Sequence, residues 1–234
     1  MNIGINALQT TPEKHTISLS DGCRAFIIGD LDGDLSALKN ELTNVNFDSE
    51  SDSLFCLGDT IDRGCENYEL FEYLKRIKAF MVLGNHEHLM LESLLSKDTS
   101  ALDIWTHNGG RWHSKIPHWQ LKDMCDELQK KPLSILLKYK TYKVGLSHTF
   151  PSTWDWEDYP QEKSKIVESL LWDRDVFKNK KVVNNQGVHF SIHGHNSTRF
   201  PLWVGNSFHI DTNYYLGKPT LIELSSIINQ FEQQ

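Results

Sequence analysis

Gly58-Asp59-Thr60-Ile61-Asp62-Arg63-Gly64 and Gly84-Asn85-His86-Glu87 decide how this chain is read. Each follows a strand-like apolar run, Leu54-Phe55-Cys56-Leu57 and Phe80-Met81-Val82-Leu83. The same arrangement stands upstream, where Ala25-Phe26-Ile27-Ile28 leads into Gly29-Asp30-Leu31-Asp32-Gly33. It recurs twice downstream. Lys143-Val144-Gly145-Leu146 leads into Ser147-His148, and Val188-His189-Phe190-Ser191-Ile192 into Gly194-His195. Carboxylates, an amide and imidazoles at successive strand ends can converge on one edge of a sheet. Such a donor set suits a pair of divalent metal ions. A lone Gly-Asp pair is often mere punctuation between strand and turn, so the weight rests on the succession.

The spacing predicts helices near Leu35–Leu42, Tyr68–Ile77 and Glu87–Ser96, each just after a motif. Strands that alternate with helices predict a sheet flanked by helices, an α/β chain. Residues 1–20 read as a polar arm ending in a short strand. Residues 100–131 carry helix signals and Trp105, Trp112 and Trp119, and are expected to pack over the site as a cap. Beyond them the pattern turns strand-rich: Leu133–Tyr139, Tyr142–Ser147, Val188–His193, Phe208–Asp211 and Thr220–Leu224, interrupted by a helix near Gln161–Leu171.

The 234 residues suffice for one α/β domain with a sizeable core, or two small ones. Hydrophobic content of 39% and charged content of 24% are ordinary for a soluble globular protein. A net charge of -7 argues against non-specific binding to nucleic acid or to an anionic membrane. No apolar run approaches a membrane span, and Met1 to Ser20 has no apolar signal segment. Cys23, Cys56, Cys65 and Cys125 form no CxxC pair, so reduced thiols and a cytoplasmic location are expected.

The motifs resemble those of the metallophosphoesterases, and among them the phosphoprotein phosphatases of the bacteriophage lambda type. That pattern is GDxHG, GDxxDRG, GNHE, then a His, an Arg and a GH. This chain supplies GDLDG, GDTIDRG, GNHE, His148, Arg174 within Trp172-Asp173-Arg174, and Gly194-His195. Asn108-Gly109-Gly110-Arg111-Trp112 and Ile210-Asp211-Thr212 extend the likeness, which covers about residues 22–224. It implies one metallophosphoesterase domain over residues 1–234: an α/β (α+β) calcineurin-like sandwich of two mixed β-sheets flanked by helices, with the 100–131 insert as a small helical cap.

The resemblance also implies roles. Asp30, Asp32 and Asp59 would hold one metal ion, and Asp59, Asn85, His148 and His195 the other, with Asp59 bridging. A hydroxide activated by the two ions would attack phosphorus in line. Arg63 and Arg174 would grip the phosphate, a role that suits a planar, permanently charged fork. His86, oriented by Asp62, would protonate the leaving group. The substrate implied is a phosphoprotein carrying phosphoserine, phosphothreonine or phosphotyrosine. Dinucleoside tetraphosphates and cyclic or other small phosphodiesters share the same site chemistry. A non-catalytic scaffold of the same fold is a third reading.

One position departs from the pattern: Asp32 stands where the first motif has histidine. Three carboxylates at one ion favour Mn²⁺ or Mg²⁺ over Fe or Zn. They also leave the cluster one positive charge poorer, which weakens its pull on phosphate and on the water proton. Asp30 and Asp32 lie two residues apart, the spacing that points both to one face of a strand. Glu87 reads as a helix cap rather than a ligand. His193 reads as structural or as a support for the ligands, Asp211 as structural, and His107, His113, His118, His189 and His209 as packing or surface groups. Phe150–Tyr159 is aromatic and acidic. Either it lies at the mouth, disfavouring polyanionic nucleotides and tolerating basic peptide flanks, or its rings pack on the cap.

Overall fold

Ala25, Phe26, Ile27 and Ile28 are all buried, so this strand must have packing on both faces. Phe26 and Ile28 join one apolar cluster with Leu38, Leu42, Leu70 and Leu74 from the helices that follow. Ala25 and Ile27 join another with Ile135, Leu137, Val144, Leu146, Phe190 and Ile192 from a second sheet. The period-two alternation of a strand thus builds two cores at once.

The computed structural model describes residues 3–20, 22–179 and 185–234. Its strands are β1 (Lys14–Ser18), β2 (Ala25–Ile28), β3 (Ser53–Cys56), β4 (Phe80–Met81), β5 (Ser134–Tyr139), β6 (Tyr142–Ser147), β7 (Phe190–His193), β8 (Leu202–Val204), β9 (Ser207–His209) and β10 (Leu221–Glu223). The helices are α1 (Leu35–Asn44), α2 (Asn67–Arg76), α3 (Asn85–Leu94), α4 (Thr99–His107), α5 (His118–Leu128), α6 (Lys163–Val167), α7 (Asp175–Lys178), α8 (Asn213–Leu216) and α9 (Leu224–Phe231). One sheet runs β10-β2-β3-β4 and the other β1-β5-β6-β7-β9-β8.

In the first sheet β2, β3 and β4 are parallel, and β10 pairs antiparallel to β2. In the second, β6, β7 and β9 are parallel, and β5 and β8 return antiparallel. Every motif therefore leaves the carboxyl end of a parallel strand, the edge where open α/β sheets bind ligands. No described helix is long and apolar enough to cross a membrane.

Most expected elements stand within a residue or two of their places. The helix expected over Gln161–Leu171 is instead α6 followed by a wider π-type turn, Glu168–Trp172. Four of the described elements were not legible in the sequence: β8, α9 and the four-residue helices α7 and α8. β8 has only three residues, and α9 begins where β10 ends, so no turn residue separates them.

Candidate active site

Five candidate site residues take positive φ: Asp32 (50°), Asp59 (46°), Asp62 (77°), Arg63 (60°) and His195 (63°). Such backbone costs about 1–3 kcal/mol per residue and persists only where the surroundings impose it. Around Asp59 the surroundings are plain. The fully buried Glu87 carboxylate accepts from the backbone N–H of Asp59 (2.9 Å), Thr60 (2.7 Å) and Gly84 (2.8 Å), and from the Thr60 hydroxyl (2.8 Å). Glu87 lies in the first turn of α3, as a capping residue should, and it also latches the β3 loop to that helix. A Cβ at Gly84 would sit 2.2 Å from Asp59 Oδ1, and one at Gly194 the same distance from Asp30 Oδ1.

The imidazole half of the site is buried. Ligand atoms of Asp59, His148 and His195 all lie within 4.8 Å of one another. His148 Nδ1 donates to Leu57 O at 2.8 Å, which turns its Nε2 inward. That Nε2 lies 3.0 Å from Asn85 Oδ1, 3.0 Å from His195 Nδ1 and 3.4 Å from Asp59 Oδ1. His195 Nε2 is buried with no hydrogen-bond partner among the described residues. Asp30 Oδ1 accepts from His195 N at 3.1 Å.

The electrostatics also call for a cation. Burial pushes the Asp30 carboxyl well up, and the nearby Asp211, Asp59 and Asp32 add to it. Burial pushes Asp59 up too, but His148 and His86 outweigh that and hold it well below the usual carboxylate range. An orphaned imidazole nitrogen beside crowded carboxylates fits a divalent ion.

The carboxylate half is more open. The Asp32 side chain is 18% exposed, against 3% for Asp59. Its Oδ1 pairs with Arg63 Nη1, and its Oδ2 accepts from Asn213 Nδ2 at 3.1 Å. Burial raises the Asp32 carboxyl and Arg63 holds it back, leaving it at about 6. The spacing argument for Asp30 and Asp32 does not apply. β2 ends at Ile28, and the positive φ at Asp32 places it in a turn beyond the strand.

His86 has two neighbours of opposite charge. Its Nδ1 lies 2.6 Å from Asp62 Oδ2 and its Nε2 2.9 Å from Arg63 Nη2. Burial lowers the imidazole, yet Asp59 and Asp62 outweigh it and raise it to about 9. Asp62 is fully buried and accepts from Trp105 Nε1 at 2.9 Å and Trp112 Nε1 at 2.6 Å. The insert thus reaches the site through two indole N–H groups, a role for Trp105 and Trp112 that sequence reasoning missed. Arg174 Nη1 donates to the His195 carbonyl at 3.2 Å.

The loop after His148 does not form the mouth. Phe150, Trp154 and Trp156 are buried, and Phe150 stacks on His193 at 4.2 Å. Trp156 packs where Gly145 has no side chain; a Cβ there would sit 2.4 Å from the ring. These rings lie beside β6 and β7, in the same buried apolar cluster as Trp105, Leu121 and Met124 of the insert. His193 is buried and hydrogen-bonded to Ser147 and Ser191, a structural group. His209 is buried rather than on the surface.

A two-sheet sandwich that gathers Asp, Asn and His at strand ends, with Arg63 and Arg174 bonded to residues of that site, defines a metal-dependent phosphoester hydrolase. Residues 23–224 match the calcineurin-like phosphoesterase family, and the chain belongs to it. Over 197 residues it is 27% identical to serine/threonine-protein phosphatase 2 of Salmonella typhimurium, covering 81% of this chain and 87% of that protein. Over 152 residues it is 30% identical to a symmetrical bis(5'-nucleosyl)-tetraphosphatase of Shewanella loihica, covering 63% and 52%. The fold is shared with a crystal structure of a putative diadenosine tetraphosphatase, at a TM-score of 0.62, 19% identity and coverage of 88% and 93%.

Proposed function

We propose that this hydrolase is a phosphomonoesterase acting on phosphoserine, phosphothreonine or phosphotyrosine in proteins. The observation that carries the reading is the buried His86–Asp62 pair beside Asp59, at 2.6 Å. A monoester with an alkoxide leaving group needs a proton donor, and once Arg63 has left it the neighbouring Asp59 and Asp62 favour a protonated His86. Asp62, fixed by two indoles, sets the ring orientation.

Asp30, Asp32 and Asp59 would hold one divalent ion, and Asp59, Asn85, His148 and His195 a second. When bound, such ions supply Lewis acidity and an acidified water. The oxygen-rich first set favours Mn²⁺, with Mg²⁺, Fe or Zn as alternatives. Arg63 would exchange its contacts with Asp32 and His86 for phosphate oxygens. An arginine can only donate, so its 2.9 Å contact requires an unprotonated His86 Nε2. Moving Arg63 onto phosphate frees that nitrogen to carry the proton. Arg174, anchored on His195 O, would take a further phosphate oxygen.

Hydrolysis of p-nitrophenyl phosphate and of a phosphoserine peptide with added Mn²⁺ tests the reading. Both should turn over. No turnover with any divalent ion would instead support the non-catalytic scaffold. Cleavage of dinucleoside tetraphosphates alone would support the second reading, which draws on the tetraphosphatase relatives.

A further inference from the structure

An open recess of about 460 Å³ adjoins the candidate metal centre. Arg174, Lys178, Asn196, Ser197, Tyr214 and Tyr215 line it. No Asp or Glu is among its described lining residues. Both walls are bonded to the site. On one side Arg174 donates to His195 O, and Lys178 follows one helical turn later, its N–H donating to Arg174 O at 2.8 Å. Arg174 caps α7 and Lys178 ends it, and both line this recess. On the other side Asn213 Nδ2 reaches Asp30 O at 3.4 Å and Asp32 Oδ2 at 3.1 Å, and Tyr214 and Tyr215 come next in α8.

Tyr214 is 80% exposed and Tyr215 50%, whereas the rings of the 150–156 loop are buried. Arg199 lies over Tyr215, 5.9 Å from the ring centre. None of the nearby described carboxylates lines this recess. Asp211 is buried and accepts from Ser197 Oγ at 2.7 Å. Asp173 and Asp175 line a neighbouring recess that also takes in Arg174 and Lys178. A cationic, aromatic mouth on a chain of net charge -7 is therefore a local feature and not a reflection of bulk composition.

We propose that this recess receives the phosphoprotein segment flanking the phosphorylated residue and selects an acidic side chain there. Lys178, beside Arg174, supplies the charge. Tyr214 and Tyr215 supply flat faces for the flanking backbone or ring. The inference rests on the phosphatase reading. It reverses the preference for basic flanks expected from the acidic 150–159 loop, because that loop lies away from the mouth.

The test uses the full chain with Mn²⁺ and three phosphoserine peptides that differ only in flanking residues: glutamate, alanine or lysine. Turnover of p-nitrophenyl phosphate by the same preparation reports the hydrolase reading independently. The expected result is a kcat/KM about fivefold higher for the glutamate peptide than for the lysine peptide, shrinking as salt is added. Lys178→Glu should invert the order, and Lys178→Arg should keep it. Equal kcat/KM for the three peptides, with p-nitrophenyl phosphate still hydrolysed, would overturn the inference and leave the hydrolase standing. A glutamate preference that survives Lys178→Glu would overturn it too. So would cleavage of a dinucleoside tetraphosphate far faster than any peptide, which makes the recess a nucleotide site. If neither p-nitrophenyl phosphate nor peptide is hydrolysed, the phosphatase reading and the inference fall together.

Discussion

The two halves of the site are built differently. Asp59, His148 and His195 are buried, their neighbours are one another, and a backbone carbonyl fixes the His148 ring. Asp32 lies at the rim, in a turn, with both carboxylate oxygens engaged by Arg63 and Asn213. The buried half is held by contacts among its own residues. The rim half must first let go of Arg63. Two ions should therefore bind with unequal affinity, and Arg63 should be free for phosphate only once the rim is occupied.

Removing the shared residue should break this arrangement most severely. Asp59→Asn should bring turnover to background and lower the metal content of the purified protein. Near-normal activity would contradict a shared ligand. His86→Asn comes next, with a loss of about 10²–10⁴-fold in kcat on alkyl phosphates and metal content unchanged. The loss should shrink on p-nitrophenyl phosphate, whose leaving group needs little protonation. Equal losses on both substrates would remove His86 from the acid role. Arg63→Ala or Arg174→Ala should cost about 1.5–3 kcal/mol, roughly ten- to a hundredfold in kcat/KM. A silent Arg174→Ala would show that this arginine does not reach the phosphate.

The smallest effect on turnover is expected from two buried neutral histidines outside the candidate ligand set. Burial holds His88 at about 4 and His209 at about 3, below the ordinary 6.5. The unfolded chain takes up protons that the folded chain refuses. Their contribution to stability is thus complete above pH 6.5 and is lost as pH falls toward 4 and then 3. The His88 shift alone corresponds to about 3 kcal/mol. Thermal melts of metal-free protein across that window should show the loss, and His209→Leu should reduce it. Identical acid profiles for the variant and the wild type would exclude His209 as a contributor.

Legibility in the sequence followed the same division. Asp59, Asn85, His86, His148 and His195 each stand just past a short apolar run, so strand end and chemistry are read from one stretch. The partners of Asp62 are 43 and 50 residues away, and those contacts leave no local periodic trace. The four-residue α8, which brings Asn213 to Asp32 across 181 positions, is too short to show a helical pattern. Trp154 and Trp156 alternate with acidic residues, as a half-buried strand would. Gly145 shows where the second of them goes, but only once β6 has been placed beside it.

The most direct test is a structure of the protein with Mn²⁺ and phosphate bound. Two ions are expected, one of them within roughly 2.0–2.6 Å of an Asp32 carboxylate oxygen, with Arg63 turned from Asp32 onto the phosphate. Two bound ions with the Asp32 carboxylate still paired to Arg63, and more than about 3.5 Å from either ion, would contradict the account.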